Sequence, residues 1–219
     1  MNVKIFFSGL DVETAAEALS ELETETQVDI ISDMDTEKAA DIIEEMPPDE
    51  AADLMSELPA EKAQELLQNI EKEEAEDIQE LLSHEEDTAG GLMTNEYIAY
   101  LPETPVRQAI DKFKNDAEDV ETVYYLYVID PDEKLIGVIS LRELLLANLD
   151  TKLSDFMLTK FKKVLPETDE EEVAEIISKY NLLALPVTDA EGHMLGVVTI
   201  DDIMDRILPP AAKRKRRKV

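Results

Sequence analysis

Pairs of acidic residues at helical spacing are the side chains of this sequence best suited to hold a cation. Asp49 and Asp53 are four residues apart in a segment of helical periodicity, so both carboxylates lie on one face of a short helix. Two carboxylates about 4 Å apart repel by roughly 4 kcal/mol at an effective dielectric constant near 20, and a divalent cation reverses the sign of that energy. Mg²⁺ suits such loose sites because it keeps several waters and takes only one or two carboxylates. Asp202 and Asp205 are three residues apart on the last predicted helix, and Asp169 and Glu171 lie at the start of another. A solvated acidic surface is the ordinary alternative.

A hydroxyl and a carboxylate three residues apart occur twice, each time where an apolar strand is predicted to pass directly into a helix. These are Ser140-x-x-Glu143 and Thr199-x-x-Asp202. The spacing is typical of a capping box, in which both side chains satisfy N–H groups of the first helical turn. It also suits a ribose, with phosphates near the helix N-terminus. The residues alone leave both interpretations open.

The composition argues against catalysis and against binding to polyanions. There is no cysteine, there are two histidines in predicted turn or linker segments, and no glycine-rich phosphate loop occurs, so we expect no enzyme. The formal net charge is −31, and residues 1–88 contain 28 acidic against 4 basic residues. Such a surface repels nucleic acid and anionic membrane and attracts cations. The sequence contains no run of 18 apolar residues, so we predict no membrane span, and we predict no signal peptide either. The lack of cysteine fits a reducing, cytoplasmic location.

A repeat of 12 residues organises the N-terminal part of the chain. Six units follow one another, from ETAAEALSEL (13–22) to EEAEDIQELL (73–82), with prolines near several unit boundaries. Ten residues make fewer than three helical turns, too few to be stable alone in water. Short amphipathic units of this kind must stack to bury their apolar faces. We therefore predict an all-α superhelical domain over residues 1–88.

The C-terminal part is an internal duplication. LPET at 101–104 returns at 165–168, an offset of 64, whereas Gly137 and Gly196 are offset by 59, so the first copy holds five extra residues around 115–122. Each copy reads as β-α-β-β-α, which predicts an α+β protein with repeats at 89–150 and 151–208 and a disordered basic tail at 209–219. We expect helices at 106–114 and 170–179, and strands at 123–129, 135–140, 185–188 and 194–198, with a closing helix after each pair.

The repeat and its Gly-x-x-Ser/Thr-x-x-Asp junction resemble the CBS domain, which works as a tandem pair. The runs EEDTAGGLMT (85–94), DVETVYYLYVID (119–130), GVISLREL (137–144) and GVVTIDDI (196–203) are similar to the cytosolic part of MgtE-type magnesium transporters. In that family a helical superhelix precedes two CBS repeats. The resemblance covers about residues 11–208.

The resemblance implies ligands for both kinds of site. The acids matching those that bind Mg²⁺ between the helical domain and the CBS pair are Asp49, Asp53, Asp169, Glu171, Asp202 and Asp205. An adenine nucleotide such as ATP would bind where Tyr125 stacks on the base, Arg142 contacts phosphate, and Ser140 and Glu143 meet the ribose. Two residues depart from the family pattern. Glu143 stands where an Asp is usual, and Asn181 stands where the family has another acid.

These observations predict a non-enzymatic, cytoplasmic Mg²⁺-sensing module of a magnesium transport system, modulated by ATP and located at the inner face of the membrane. Its expected partners are a transmembrane channel domain and a second copy, bound through a stripe of Ile203, Met204 and Ile207 on the closing helix. The alternative is a free-standing adenine-nucleotide sensor that regulates a soluble partner. Three roles are open for the basic run KRKRRK (213–218): weak contact with anionic lipid, folding back on the acidic helices, or simply a solubilising end. No nucleic-acid partner is expected.

Overall fold

The computed structural model describes residue 7 and residues 9–117, 120 and 123–207, and for Asp205 and Ile207 the backbone alone. Contacts divide the chain into two compact units, a helical unit that extends to Ser83 and a second unit, His84–Leu208. The predicted tail, residues 209–219, lies outside the described residues, as do residues 118, 119, 121 and 122 of the predicted insertion.

The helices described in the helical unit follow the predicted period. They are α1 (Val12–Ser20), α2 (Thr24–Ser32), α3 (Thr36–Glu44), α4 (Pro48–Ser56), α5 (Ala60–Leu67) and α6 (Lys72–Leu81). Each begins 12 residues after the one before it. Pro48 is the first residue of α4 and Pro59 precedes α5, positions where a missing N–H costs no helical hydrogen bond. Asp11 caps α1 by accepting a hydrogen bond of 3.0 Å from the backbone N–H of Thr14.

These short helices are stabilised by stacking on the next helix but one. Contacts join α1 with α3, α3 with α5, α2 with α4, and α4 with α6. The apolar face of each helix is thereby covered, and the largest fully buried side chains are Leu19, Ile31, Ile42, Ile43, Leu54, Met55 and Leu66. Full burial of one such side chain contributes about 1.5–3 kcal/mol, which offsets the low intrinsic stability of a nine-residue helix. The prediction of an all-α stack is confirmed.

The second unit contains two β-α-β-β-α repeats. The first comprises β1 (Ala99–Tyr100), α8 (Val106–Asp116), β2 (Tyr125–Ile129), β3 (Leu135–Ser140) and α9 (Leu141–Leu146). The second comprises α10 (Glu170–Tyr180), β4 (Ala184–Thr188), β5 (Met194–Thr199) and α11 (Ile200–Ile207), and its entering strand is reduced to one parallel bridge between Val164 and Val187. A short helix, α7 (Ala89–Leu92), precedes the first repeat, and a 3-10 turn, Leu153–Asp155, joins the two.

The strand pairing repeats with the predicted offsets. In the first repeat β2 lies between β1 and β3, and Tyr125 is opposite Ser140. In the second, Ala184 is opposite Thr199, each residue shifted by 59. The structure therefore confirms the duplication at the level of individual pairs, and it places both hydroxyl-bearing junctions at the same end of their sheets.

The segment leading into each repeat packs on the other repeat. Thr94, ahead of the first repeat, pairs with Val197 of β5, and Leu158, ahead of the second, pairs with Val138 of β3. Both crossings pass directly over a glycine. A Cβ on Gly137 would collide with the Met157 side chain, and one on Gly196 would collide with the backbone oxygen of Thr94. The glycines of the Gly-x-x-Ser/Thr junctions are thus required by this close approach.

Both hairpin turns contain a residue with positive φ, but the residue type differs between them. Glu133 has φ 60° and Gly192 has φ 96°, and these residues occupy matching places in the two copies. The turns also meet, because the backbone N–H of Leu135 donates to the Gly192 oxygen at 2.9 Å and that of Met194 donates to the Glu133 oxygen at 3.3 Å. The repeats are therefore joined at their turns as well as by their leading segments.

Small differences separate the predicted bounds from the observed ones. Helix α8 continues two residues beyond 114, and β2 begins at Tyr125 instead of 123. Helix α10 ends one residue later than expected, at Tyr180, because Asn181 adopts the left-handed conformation (φ 54°) that terminates it. Asparagine is among the few residues that adopt this conformation readily. Asn181 therefore has a structural reason to stand where a carboxylate was expected.

Candidate functional site

The predicted metal-binding acids of the helical unit occupy the start and middle of α4. Asp49 lies in the first turn and is half-buried, whereas Asp53 lies one turn later and is exposed. The positive end of the helix dipole favours Asp49 but not Asp53. The structure thus places the two carboxylates one turn apart, as the spacing predicted.

The remaining predicted ligands lie in the second unit, at the starts of α10 and α11. Asp169 is the N-cap of α10, where it accepts a hydrogen bond of 2.9 Å from the backbone N–H of Glu171, and both side chains are exposed. Asp202 lies in the first turn of α11 and accepts a hydrogen bond from the hydroxyl of Thr199. The Asp205 backbone belongs to α11, and its side chain lies outside the described residues.

A groove of about 670 Å³ runs between α10 and α11. It is lined by residues of both signs and a few apolar ones: Glu170, Glu171, Ala174, Glu175, Ser178, Lys179, Ile203 and Arg206. Three consecutive glutamates, 170–172, fill the first turn of α10. The positive end of the helix dipole interacts favourably with negative charge at this position.

A further acidic cluster, which sequence reasoning missed, lies within the helical unit. Carboxylate oxygens of Glu44, Glu71 and Glu74 come within 4.8 Å of one another, the one group of three metal-competent side chains found among the described residues. Burial raises the pKa of Glu44, and the neighbouring carboxylates raise it further, although the backbone N–H of Glu71 donates to Glu44 Oε2 at 3.3 Å. The sequence separation of 27–30 residues gives no local signal for this convergence.

The four residues predicted to bind a nucleotide converge at one end of the β2–β3 hairpin. Tyr125 and Ser140 are opposite each other, and Arg142 and Glu143 follow at once in the first turn of α9. The hydroxyl of Tyr125 accepts a hydrogen bond of 3.3 Å from the backbone N–H of Leu183, in the second repeat. The site is therefore at the junction of the two repeats.

The hydroxyl and carboxylate of this site form a complete capping box. The Ser140 hydroxyl accepts from the Glu143 backbone N–H at 3.2 Å and donates to Glu143 Oε2 at 2.6 Å. The backbone N–H of Ser140 donates to the same oxygen at 3.0 Å. The hydrogen bond from the Ser140 hydroxyl is the main reason that the pKa of Glu143 is lowered. The longer side chain of Glu reaches back to the cap, so its carboxylate is oriented while remaining exposed.

The second repeat has the same backbone geometry and different chemistry. Ala184 stands where the first repeat has Tyr125, and Asp201 stands where it has Arg142. The first junction thus has an aromatic ring and a positive charge, both suited to a nucleotide. In the second junction the ring is absent, and a carboxylate, that of Asp201, takes the place of the positive charge. The two junctions therefore share a backbone geometry and differ in the side chains that they present.

A helical unit followed by two β-α-β-β-α repeats that exchange their leading segments defines a tandem CBS protein with a helical N-terminal domain. A family model for the MgtE intracellular N domain matches residues 2–87, and the CBS domain model matches residues 89–150 and 153–209. The chain belongs to the MgtE family of magnesium transporters. Among its described residues, no helix is both long and apolar enough to cross a membrane.

Individual relatives support this assignment. The magnesium transporter MgtE of Enterococcus faecalis (strain ATCC 700802 / V583) is 44% identical over 133 residues, which are 61% of this chain and 29% of that transporter. The crystal structure of the soluble part of a magnesium transporter matches with a TM-score of 0.88 and 38% identity, over 92% of this chain and 80% of that one. The crystal structure of the cytosolic domain of the Mg²⁺ channel MgtE in complex with ATP matches with a TM-score of 0.87 and 36% identity, over 93% and 83%. This chain therefore spans less than a third of the length of the curated transporter.

Proposed function

We propose that the chain is a non-enzymatic Mg²⁺-sensing regulatory module of a magnesium transport system. The observation that carries the proposal is the closely spaced acids in both units, Asp49 with Asp53 on α4 and Asp169 with Glu171 at the start of α10, in a member of a magnesium transporter family. At low Mg²⁺ the two acidic units repel each other. At high Mg²⁺ hydrated cations neutralise and bridge the carboxylates of the two units. The proposed ligands are Asp49, Asp53, Asp169, Glu171, Asp202 and Asp205.

The energies involved suit a sensor more than a tight metal site. Each carboxylate pair about 4 Å apart contributes roughly 1 kcal/mol of repulsion in bulk water and roughly 4 kcal/mol at an effective dielectric constant near 20. Mg²⁺ keeps most of its waters, so each cation removes part of this repulsion without a dedicated cage. When several weak sites all favour the same closed arrangement of the two units, the closed fraction rises steeply with cation concentration.

The test is small-angle X-ray scattering during a Mg²⁺ titration from zero to tens of millimolar. We expect the radius of gyration to fall, and NaCl at matched ionic strength to produce a smaller change. Asp49→Asn with Asp53→Asn should shift the Mg²⁺ midpoint upward and reduce the amplitude. The matched control is Glu13→Gln with Glu21→Gln, which removes the same charge from exposed positions of α1 and its C-cap. A radius that does not respond to Mg²⁺, or equal effects of the two double variants, would refute the sensor.

The junction of the first repeat supports an adenine nucleotide as a second ligand. Tyr125 offers an aromatic ring, Arg142 an exposed positive charge, and Ser140 with Glu143 a hydroxyl and a carboxylate three residues apart. To bind a ribose, Glu143 must exchange its hydrogen bonds with Ser140 for bonds to the sugar hydroxyls. We expect isothermal titration calorimetry to detect ATP binding that Arg142→Ala weakens at least tenfold. Arg107→Ala, another exposed arginine of the same repeat, is the control.

This nucleotide site also supports the alternative, a free-standing adenine-nucleotide sensor that regulates a soluble partner. Under that hypothesis the acids are only solvated. ATP would then bind normally while scattering stayed constant across the Mg²⁺ titration, so one pair of experiments separates the two functions.

We propose further that two copies associate through the closing helices. Leu145 and Leu146 of α9 are 62% and 74% exposed, and Met204 of α11 is 45% exposed. The prediction of an exposed stripe was wrong for Ile203, which is 4% exposed because it packs within the chain, and the Ile207 side chain lies outside the described residues. Light scattering at tens of micromolar should give a dimer, and Leu146→Glu should give a monomer. A monomeric parent chain would contradict this proposal.

The expected setting is the cytoplasmic face of a membrane, beside a channel domain of the transport system. Residues 213–218 supply six basic side chains, each able to contribute about 1 kcal/mol near an anionic leaflet. Co-sedimentation with anionic vesicles, comparing the full chain with one that ends at Pro210, tests the membrane contact. If deletion of the tail instead changes the Mg²⁺ midpoint without any vesicle binding, the tail acts on the acidic surface.

A further inference from the structure

The hydroxyl of Tyr127 is a buried polar group for which the described residues offer no hydrogen-bond partner. The residue is 3% exposed, and its Oη is inaccessible to solvent. A buried hydroxyl without a partner costs about 1–3 kcal/mol, and such groups are uncommon in folded proteins. Its neighbour Tyr97 differs in this respect, because the Tyr97 hydroxyl donates to the Met194 backbone oxygen at 3.1 Å.

The position of Tyr127 connects this hydroxyl to the nucleotide site. Tyr125 and Tyr127 are two residues apart on β2, so they share one face of the sheet at a separation of about 7 Å along the strand. That face packs against the second repeat, where Tyr127 contacts a cluster including Ala184, Met194 and Val197. Tyr125 is half-buried and packs against the same cluster, whereas Tyr127 is buried within it.

The chemistry of the hydroxyl restricts what it can bind. Burial raises the pKa of Tyr127, and the neighbouring Tyr125 raises it further, so the group is neutral at physiological pH. A neutral hydroxyl surrounded by apolar side chains pairs with an uncharged polar group and does not suit a phosphate or a hydrated cation. Donor and acceptor groups on the ring edge of a base have the required character.

We propose that, when a nucleotide binds with its ribose and phosphates at Ser140, Arg142 and Glu143, the junction opens enough for the ring edge of its purine to form a hydrogen bond with the Tyr127 hydroxyl. Tyr127 is thereby the residue that selects the base. This assignment rests on the proposed nucleotide site and adds to it a determinant of specificity.

The experiment is calorimetric titration of the full chain and of Tyr127→Phe with ATP, inosine triphosphate and inorganic tripolyphosphate. In Tyr127→Phe the dissociation constant for ATP rises roughly fivefold to tenfold, as expected for one hydrogen bond, and that for tripolyphosphate does not change. The unmodified chain distinguishes ATP from inosine triphosphate by threefold or more, because the two purines differ at the ring edge, and the variant does not. Without ligand, Tyr127→Phe melts at the same or a higher temperature, since it removes an unpartnered hydroxyl.

Tyr97→Phe is the matched control, because its ring lies at 6.2 Å from that of Tyr127 but its hydroxyl already has a partner. It should lower the melting temperature and leave ATP affinity unchanged. Equal ATP affinity in the parent and Tyr127→Phe overturns the assignment alone, as does an equal loss for ATP and tripolyphosphate. Equal affinities of the unmodified chain for ATP and inosine triphosphate also overturn it, whether or not the variant folds. If the unmodified chain does not bind ATP, the nucleotide site itself is wrong and the assignment with it, whereas the Mg²⁺ response is judged separately by scattering.

Discussion

The two junction glycines allow one substitution to be tested in two related environments. Gly137→Ala and Gly196→Ala each place a methyl group into a crossing segment. For Gly137 the obstructing atoms all belong to the side chain of Met157. For Gly196 the closest obstruction is the backbone oxygen of Thr94, with Met93 Sδ next at 3.0 Å. That oxygen also accepts a hydrogen bond of 2.9 Å from the Val197 backbone N–H, so it cannot move without weakening the pairing.

The magnitudes follow from what must move. Overpacking costs typically about 1–3 kcal/mol, and we expect Gly137→Ala at the lower end, because Met157 can change rotamer. Gly196→Ala should cost about 3 kcal/mol, since it adds the loss of a backbone hydrogen bond, worth about 1 kcal/mol. Removing the methionine should therefore rescue the first substitution and not the second. The double variant Gly137→Ala with Met157→Ala should be more stable by about 1–2 kcal/mol than the sum of the two single effects predicts. For Gly196→Ala with Met93→Ala this coupling energy should be below about 0.5 kcal/mol.

Urea unfolding followed by circular dichroism measures both double-mutant cycles. Fluorescence of a label in the second unit separates its transition from that of the helical unit. Equal coupling energies in the two cycles would show that the backbone oxygen is not the obstruction, and would refute the account of the glycines given above.

Three further changes test single features of the fold. Glu44→Gln should raise the stability of the helical unit at pH 7 by about 1 kcal/mol, because burial and two nearby carboxylates oppose its charge. Since the pKa of Glu44 is raised in the folded state, the stability lost to its ionisation returns as the pH falls through that pKa. In thermal melts the advantage of Glu44→Gln over the parent chain should therefore disappear on acidification. An advantage that does not change with pH would contradict the electrostatic explanation. Both Gly192 and Glu133 have positive φ, which glycine adopts more easily than other residues. In chemical denaturation, Gly192→Ala should lower the free energy of unfolding by about 1–2 kcal/mol, and Glu133→Gly should raise it by up to about 1 kcal/mol. Effects of the same sign would contradict this explanation. Asn181→Ala should lower stability by about 1 kcal/mol whereas Asn181→Gly should not, and comparable melting temperatures would remove its role as the terminator of α10.

Local patterns predicted the elements of the fold well, because the signals that set them are local. The 12-residue repeat predicted the spacing of α1 to α6, with units that begin one residue after each observed helix start, since apolar spacing marks the buried face and prolines lie near several helix starts. The duplication gave the pairing of β2 with β3 and of β4 with β5, because two copies of one pattern fold alike. The error at the end of α8 lies beside residues outside the described part, where no apolar period guides a boundary.

Features that depend on distant segments could not be predicted in this way. The burial of Ile203 and the crossing of Met93 over Gly196 arise from packing between residues far apart in the chain. The convergence of Glu44 and Glu71 is of the same kind. For the nucleotide site, the sequence predicted that Ser140 and Glu143 share a helix start, but not the hydrogen bond from Leu183 that makes the site a property of both repeats. The binding roles of all these residues stay predictions.

The exchange of leading segments determines which part of the second unit is first reached by a force along the chain. Residues that follow the helical unit attach to the second repeat before the first repeat begins: the Ala89 N–H donates to the Thr168 oxygen at 2.7 Å and the Gly90 N–H donates to the Pro166 oxygen at 2.9 Å. Tension on the chain leaving α6 is therefore applied to the segment just ahead of α10, which lies 76 to 79 residues beyond its partners Gly90 and Ala89. The chain that leaves α6 is thus tethered to the more distant repeat, beside Asp169 and Glu171 at the start of α10, before it enters the nearer repeat.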